Sequence, residues 1–383
     1  LEARQELYKA ARDGADEQTR NTLKETADGI MAELEAAQGN EPLLRVDVDP
    51  DMVAKVVSDW TGIPLGKVMR DQAQDIIALE DQLCRRIVGQ DEAIGIISRN
   101  IKAAKAGLGD PRQPIGIFLL AGPSGVGKTE TGLAVADLLF GGERFVTTVN
   151  MSEFQEGHTV SRLIGSPPGY VGFGEGGILT EAVRQRPYCV VLIDEVEKAH
   201  ADVINLFYQV FDKGTLADGE GRNIDFKNTI LFLTSNLAAD IVTGLCQAQD
   251  KPSAEKLTAA VRSVLSKHFK PALLARMTIV PYLTISPSYM EEIVRLKLGN
   301  LAQRLAQTNK MKLGYSPEVV SQIAGRCTEV ETGARNIDHI LRGSILPKLS
   351  QEILSSLCQE AMPGEVFLGF KEGEFTISFA EPV

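Results

Sequence analysis

Between Arg86 and Tyr282, short and largely apolar runs alternate with longer stretches in which apolar residues return every three or four positions. A run apolar at nearly every position suits a strand covered on both faces, and the stretches between suit helices packed on those faces. Five runs predict strands at Ile115–Leu120, Phe145–Val149, Cys189–Ile193, Thr229–Thr234 and Ile279–Tyr282. The expected fold class is therefore α/β, with a five-stranded, mainly parallel sheet at its core. After Ser286-Pro287, a pair suited to starting a helix, the pattern turns mostly helical. It closes on Glu365–Phe370 and Glu374–Phe379, a hairpin around Lys371-Glu372-Gly373. This predicts a small, mainly helical α+β domain at the C-terminal end.

Upstream the pattern is weaker. Leu23, Ala27, Ile30, Leu34 and Ala37 form a short heptad stripe, separated by Gly14 from a helical stub. So few heptads are unstable alone, so the stripe is expected to pack on its own body or on a neighbour. Gly39 to Pro50 reads as a linker, and a helix from Pro50 to Ser58 runs into Trp60-Thr-Gly-Ile-Pro64. The chain opens at Leu1 without a methionine, and the expectation is a fragment of something longer.

Composition narrows the field only modestly. With 383 residues and 44% hydrophobic content the chain can bury a large core and fold as two or more domains. Cys84, Cys189, Cys246, Cys327 and Cys358 show no metal-type spacing and read as reduced thiols; the four histidines are scattered. No run reaches the length of a membrane span and no signal-peptide core is visible, so a cytoplasmic protein without a membrane partner is expected. A net charge of −11 argues against a nucleic-acid partner, although a local basic channel could hide within an acidic total.

The most specific chemistry lies where the first strand ends. Gly122-Pro123-Ser124-Gly125-Val126-Gly127-Lys128-Thr129 fits the phosphate-binding pattern G-x-x-x-x-G-K-[ST], with a strand before it and a helix after. In such a loop backbone N–H groups close on phosphates, Lys128 reaches the β- and γ-phosphates, and the Thr129 hydroxyl can hold Mg²⁺. Nucleoside triphosphate is the implied ligand. Sixty-six residues beyond Lys128, the run Cys189–Ile193 ends in Asp194-Glu195. Both carboxylates fall at the carboxyl edge of the sheet, where open α/β sheets bind ligands. Asp194 can hold Mg²⁺ through water, and Glu195 can polarise the water that attacks the γ-phosphate. Asn236, closing the next strand, could orient that water or could simply form a cap or turn. Arg276 precedes the last strand and Arg335 opens a helix of the small domain; each could steady phosphate charge or be an ordinary surface arginine. Gly169-Tyr170-Val171-Gly172-Phe173 follows Ser166-Pro167-Pro168, which forbids the strand that a dinucleotide fingerprint needs. The segment reads as a mobile loop whose aromatics either touch a partner or fold back on the core. A second polar loop runs from Gly214 to Arg222.

Taken in order, these pieces resemble the second ATPase module of a Clp-family AAA+ unfoldase. The resemblance runs from about Pro50 to the end. It rests on Trp60-Thr-Gly-Ile-Pro64, Ile87-Val88-Gly89-Gln90, the phosphate loop, Gly169-Tyr-Val-Gly172, Leu192-Ile-Asp-Glu-Val-Glu-Lys-Ala-His200, Thr234-Ser-Asn236 and Gly333-Ala-Arg335. It implies a P-loop AAA+ module that hydrolyses ATP with Mg²⁺ and assembles as a homo-hexamer that threads a protein substrate through its pore. Under it, Ile87 and Val88 map to the adenine pocket, Asn236 to sensor 1, Arg335 to sensor 2, Arg276 to the arginine finger and Tyr170 to the pore-loop aromatic. Residues 1–40 become a helical remnant of a middle or linker region, and 41–85 a linker and helix leading in. Residues 86–285 become the large nucleotide-binding domain and 286–383 the small lid domain. Phe207–Gly214, the Gly-Phe-Gly-Glu-Gly-Gly form of the loop and Ala275–Tyr282 look more like the ClpV branch of type VI secretion than the ClpB disaggregases. That branch implies secretion-sheath subunits as substrate. Ala275-Arg276 departs from the family's usual Asn-Arg pair. Thr243-Gly-Leu245 matches only partly the tripeptide of protease-linked relatives, so no protease partner is expected. A nucleotide-gated scaffold without turnover is the rival from another class, and Glu195 speaks against it.

Overall fold

The structure is a computed structural model that describes residues 2–38, 48, 50–61, 69–170, 173–247, 253–327, 333–358 and 363–380. It divides into two compact units, Leu1–Val56 and Val57–Val383. In the first, helices Glu2–Arg12 and Glu17–Gln38 lie against each other across a turn in which Gly14 takes φ 74°. Of the heptad stripe, Ala27 is buried, Leu23 and Leu34 are half-buried and Ile30 is exposed. The expected linker lies almost wholly outside the described residues, as do Gly62, Ile63 and Pro64.

In the second unit, the five apolar runs form one sheet. Its strands are β1 (Gly116–Ala121), β2 (Val146–Asn150), β3 (Val190–Asp194), β6 (Ile230–Ser235) and β7 (Thr278–Pro281). The order is β2-β3-β6-β1-β7 and every pairing is parallel. Phe118 and Phe232 face each other in the register of β1 and β6 and stack at 5.3 Å between ring centroids. Helices on both faces supply the rest of the core, including Leu79 and Leu83 of Met69–Arg86 and Ile94 and Ile97 of Asp91–Lys105. That two-sided cover explains why β3 and β6 are apolar at almost every position.

A short strand, β4 (Thr215–Ala217), forms within the segment Gly214 to Arg222 expected to be a polar loop, and pairs antiparallel with β5 (Asn223–Asp225), which directly follows that segment. Three-residue strands leave too short an alternation to read. Cys84, Cys189, Cys246 and Cys327 are free thiols; Cys189 and Cys327 are buried while Cys84 and Cys246 are half-exposed. No helix of the described residues is long and apolar enough to cross a membrane.

Beyond β7, Ser286 caps the helix Pro287–Asn309 by accepting a hydrogen bond from the Tyr289 N–H. This part has its own core, in which Val294 and Leu298 meet Val319, Ile323 and Ile337. The C-terminal hairpin forms as β9 (Glu365–Lys371) and β10 (Glu374–Ala380). A third strand absent from the sequence reading, β8 (Lys312–Tyr315), adds parallel to β9. Its four residues include Gly314, which blurs the apolar pattern.

Candidate nucleotide site

The loop after β1 is shaped by its glycines. Gly122 adopts φ 157°, and a Cβ there would sit 2.3 Å from the Tyr282 carbonyl oxygen, so only glycine lets the loop leave the sheet at that point. Gly127, at φ 102°, turns the chain into the helix Lys128–Phe140 and presents its N-terminus to the cleft. Lys128 is buried, and its ammonium donates to the carbonyls of Gly122 (2.5 Å) and Pro123 (2.8 Å) and to Asn236 Oδ1 (2.7 Å). Burial pulls its pKa down to about 8. The negative charges of Glu197 and Asp194 oppose that shift, and Arg335 adds to it.

The acids sit at the carboxyl end of β3, next to β6. Thr234 on β6 is buried, donates its hydroxyl to Asp194 Oδ1, and accepts the Glu195 N–H at 3.1 Å. Glu195 occupies the left-handed region at φ 55°, ψ 49°, an unusual backbone for a residue with a Cβ and worth about 1 kcal/mol or more of local strain. Its carboxylate meets the Lys198 ammonium at 2.8 Å. One oxygen of Glu197 accepts the Asn236 N–H at 3.1 Å, and the other is buried without a hydrogen-bond partner.

Lys128, Asp194, Glu195, Thr234 and Asn236 line a cleft of about 720 Å³. Buried Ile87 and Val88 form an apolar wall. Ser124, Gly125, Val126, Gly127 and Thr129 form the floor; Asp194, Glu195 and Asn236 form one side. The small domain adds Ile293, Lys297 and Arg335 to the lining. It is docked on the loop directly, through an Ala334 N–H that donates to the Gly125 carbonyl at 3.1 Å. Size, apolar wall and glycine-lined floor fit a nucleoside triphosphate, since small-molecule clefts run to roughly 300–1,000 Å³.

Of the residues singled out from the sequence, Ile87, Val88, Ser124 to Thr129, Asp194, Glu195, Asn236 and Arg335 line this one cleft, while the carbonyls of Gly122 and Pro123 accept from Lys128. Arg276 lies elsewhere. Its guanidinium pairs with Asp212, donates to the Ala272 carbonyl at 2.5 Å and covers the Tyr208 ring at 5.5 Å. Tyr170 and Phe173 do not fold back on the core: they are 70% and 51% exposed, on the loop that holds Gly169. Val171 and Gly172 are outside the described residues. The contacts of Thr234, Glu197 and Lys198 carry no signal of their own in the sequence, because nothing in spacing says that Thr234 would bond Asp194 and the Glu195 N–H across two strands. The one available signal was the position of Glu197 and Lys198, two and three residues after Glu195.

A parallel five-stranded sheet with a phosphate loop, acids at its carboxyl edge and a small domain docked over the loop defines a P-loop AAA+ module. The family model of an AAA domain (Cdc48 subfamily) matches residues 113–280, and that of the C-terminal, D2-small domain of ClpB protein matches residues 285–365. The chain is 47% identical to the AAA+ ATPase ClpV1 of Pseudomonas aeruginosa over 367 residues, covering 96% of this chain and 41% of that protein. It is 46% identical over 365 residues to the chaperone protein ClpB of Yersinia enterocolitica, covering 95% of this chain and 41% of that one. The chain belongs to the Clp family of AAA+ ATPases, in which it corresponds to the C-terminal ATPase module. It spans about 41% of the length of these relatives.

Proposed function

We propose that this module hydrolyses ATP to drive protein remodelling by a homo-hexameric ring, with contracted type VI secretion sheath as the substrate. The observation that carries the proposal is the convergence of Lys128, Asp194, Glu195, Asn236 and Arg335 on one cleft. The Thr129 hydroxyl and the Asp194 carboxylate would hold Mg²⁺, whose charge would neutralise phosphate oxygens in the bound state. Lys128, now held by two loop carbonyls and Asn236, would exchange those acceptors for phosphate oxygens. That exchange frees the Asn236 amide to orient the attacking water, which Glu195 polarises as general base. Arg335 would steady the charge from the same chain. Arg276, turned away from its own cleft and resting on Asp212, would serve the cleft of a neighbouring subunit. Tyr170 and Phe173, exposed on a glycine-hinged loop, would grip the substrate chain. Residues 86–285 and 286–383 would then act as the large and small domains.

The sheath reading rests on the ClpV-like residues of Phe207–Gly214 and Ala275–Tyr282. A second reading, disaggregation of protein aggregates, is favoured by the 46% identity to a chaperone protein ClpB and by the ClpB small-domain match. Neither reading calls for nucleic acid, a membrane or a protease partner. ATPase rates measured with contracted sheath, with heat-aggregated protein and with DNA separate the readings. Stimulation by sheath alone supports the proposal, stimulation by aggregates alone moves it to disaggregation, and no ATP turnover under any condition overturns both.

A further inference from the structure

Gln90 is 2% exposed, and both the nitrogen and the oxygen of its amide are hydrogen-bonded. Its nitrogen donates to the Leu283 carbonyl at 2.9 Å and lies 3.3 Å from the Val126 carbonyl of the phosphate loop; its oxygen accepts the Leu283 N–H at 3.0 Å. One side chain thus satisfies both backbone groups of Leu283 and one of the loop, a task for a group that both donates and accepts. Leu283 follows β7 and precedes Ser286, the cap of the first small-domain helix, so it lies on the connection between the two domains. Ile285, two residues on, packs against the cores of both.

Neighbouring contacts converge on the same connection. The Tyr282 hydroxyl, wholly buried, is 2.7 Å from Thr131 Oγ1, which itself donates to the Gly127 carbonyl at 2.9 Å. Gly89 has φ 78°, and a Cβ there would lie 2.7 Å from the ring of Tyr289 in the first turn of the small domain. Val126 is therefore tied through Gln90, and Gly127 through Thr131 and Tyr282, to the residues where the chain passes from one domain to the other, with Gly89 close beside Tyr289.

We propose that Gln90 is a positioning residue that ties the phosphate loop to the interdomain connection, so that the loop's conformation and the placement of Arg335 over the cleft are set together. The proposal rests on the nucleotide reading of that cleft. A shift of Val126 as the loop takes up phosphates moves the Gln90 amide, and Leu283 follows because both of its backbone groups are bonded to that amide. Arg335 travels with the small domain, which pivots at this point.

The test uses the whole chain with a fluorescent donor and acceptor installed at the exposed positions Lys267 and Glu352, one in each domain. Gln90→Glu removes both donations while nearly preserving shape; Gln90→Met removes all three bonds. Nucleotide affinity should stay within about threefold of the wild type, and kcat should fall about tenfold with KM nearly unchanged. The ATP-induced change in energy transfer should shrink to less than about half. An equal change in wild type and both variants, or no change in the wild type at saturating ATP, overturns the proposal. So does loss of nucleotide binding in Gln90→Glu together with a collapsed melting temperature, which would make Gln90 only a folding residue. Failure of the wild type to bind ATP at all overturns the nucleotide reading instead.

Discussion

Replacing Thr234 by valine keeps the side-chain volume and deletes one hydroxyl, so it isolates what that hydroxyl does. In the structure the group donates to the Asp194 carboxylate and accepts the Glu195 N–H. A hydrogen bond to a charged group contributes about 1.5–3 kcal/mol and a neutral one about 1 kcal/mol. Asp194 is half-exposed, so water recovers part of the first, and the net loss should be about 2 kcal/mol. For a unit the size of Val57–Val383 that lowers the melting temperature by roughly 3 °C. The more telling effect is on position. Without the bond, the Glu195 N–H loses its acceptor at a residue held in the left-handed region, and a displacement of the order of 1 Å at a reacting group can cost about a hundredfold in rate. Thr234→Val should therefore keep ATP affinity within about threefold while losing tenfold to a hundredfold in kcat, whereas Thr234→Ser, which keeps the hydroxyl, should lose little of either. Denaturant melts, fluorescent-nucleotide titration and steady-state ATPase rates on the three proteins decide the matter. If the serine variant is as impaired as the valine variant, the methyl packing matters and the hydroxyl does not.

Lys128→Ala should lose ATP affinity, while Glu195→Gln should bind ATP normally and stop hydrolysis, because in the proposed mechanism one side chain would meet phosphates and the other would act on water; equal affinities in a nucleotide titration would refute this division of roles. Tyr170→Ala should leave basal hydrolysis intact and abolish threading, and an unfolding assay with a tagged substrate that runs at wild-type rate would count against the pore-loop reading. Arg276→Ala should bind ATP nearly normally and lose most turnover, since a finger arginine acting in trans is worth about 10³ to 10⁵ in rate. Mixing it with Lys128→Ala subunits should restore some hydrolysis. Mixed rings, confirmed by mass measurement, with no activity above the sum of the separate mutants would exclude a trans role.

Much of this architecture is visible in linear order because it depends on local patterns. Five largely apolar runs mark the five parallel strands: β3 and β6, covered on both faces, have few polar positions to interrupt them, whereas the edge strand β2 carries Thr147 and an exposed Thr148. The glycine spacing of residues 122–129 marks the phosphate loop, since backbone approach and left-handed turns exclude other residues there. The acid pair after β3 is legible for the same reason: a strand's last residues fall at the ligand edge. Short strands such as β4, β5 and β8 escape notice because three or four residues carry too little alternation. What no pattern contains is which side chains meet across the fold. Strand order β2-β3-β6-β1-β7 sets β6 between β3 and β1, and that adjacency alone puts Thr234 against Asp194 and Asn236 against Lys128. Arg276 and Arg335 look alike as isolated arginines, yet the domain arrangement turns Arg335 into the cleft and leaves Arg276 on Asp212. Gln90 reaches Leu283 across 193 positions of sequence, a separation over which periodicity and propensity are silent and only the folded backbone brings donor and acceptor together.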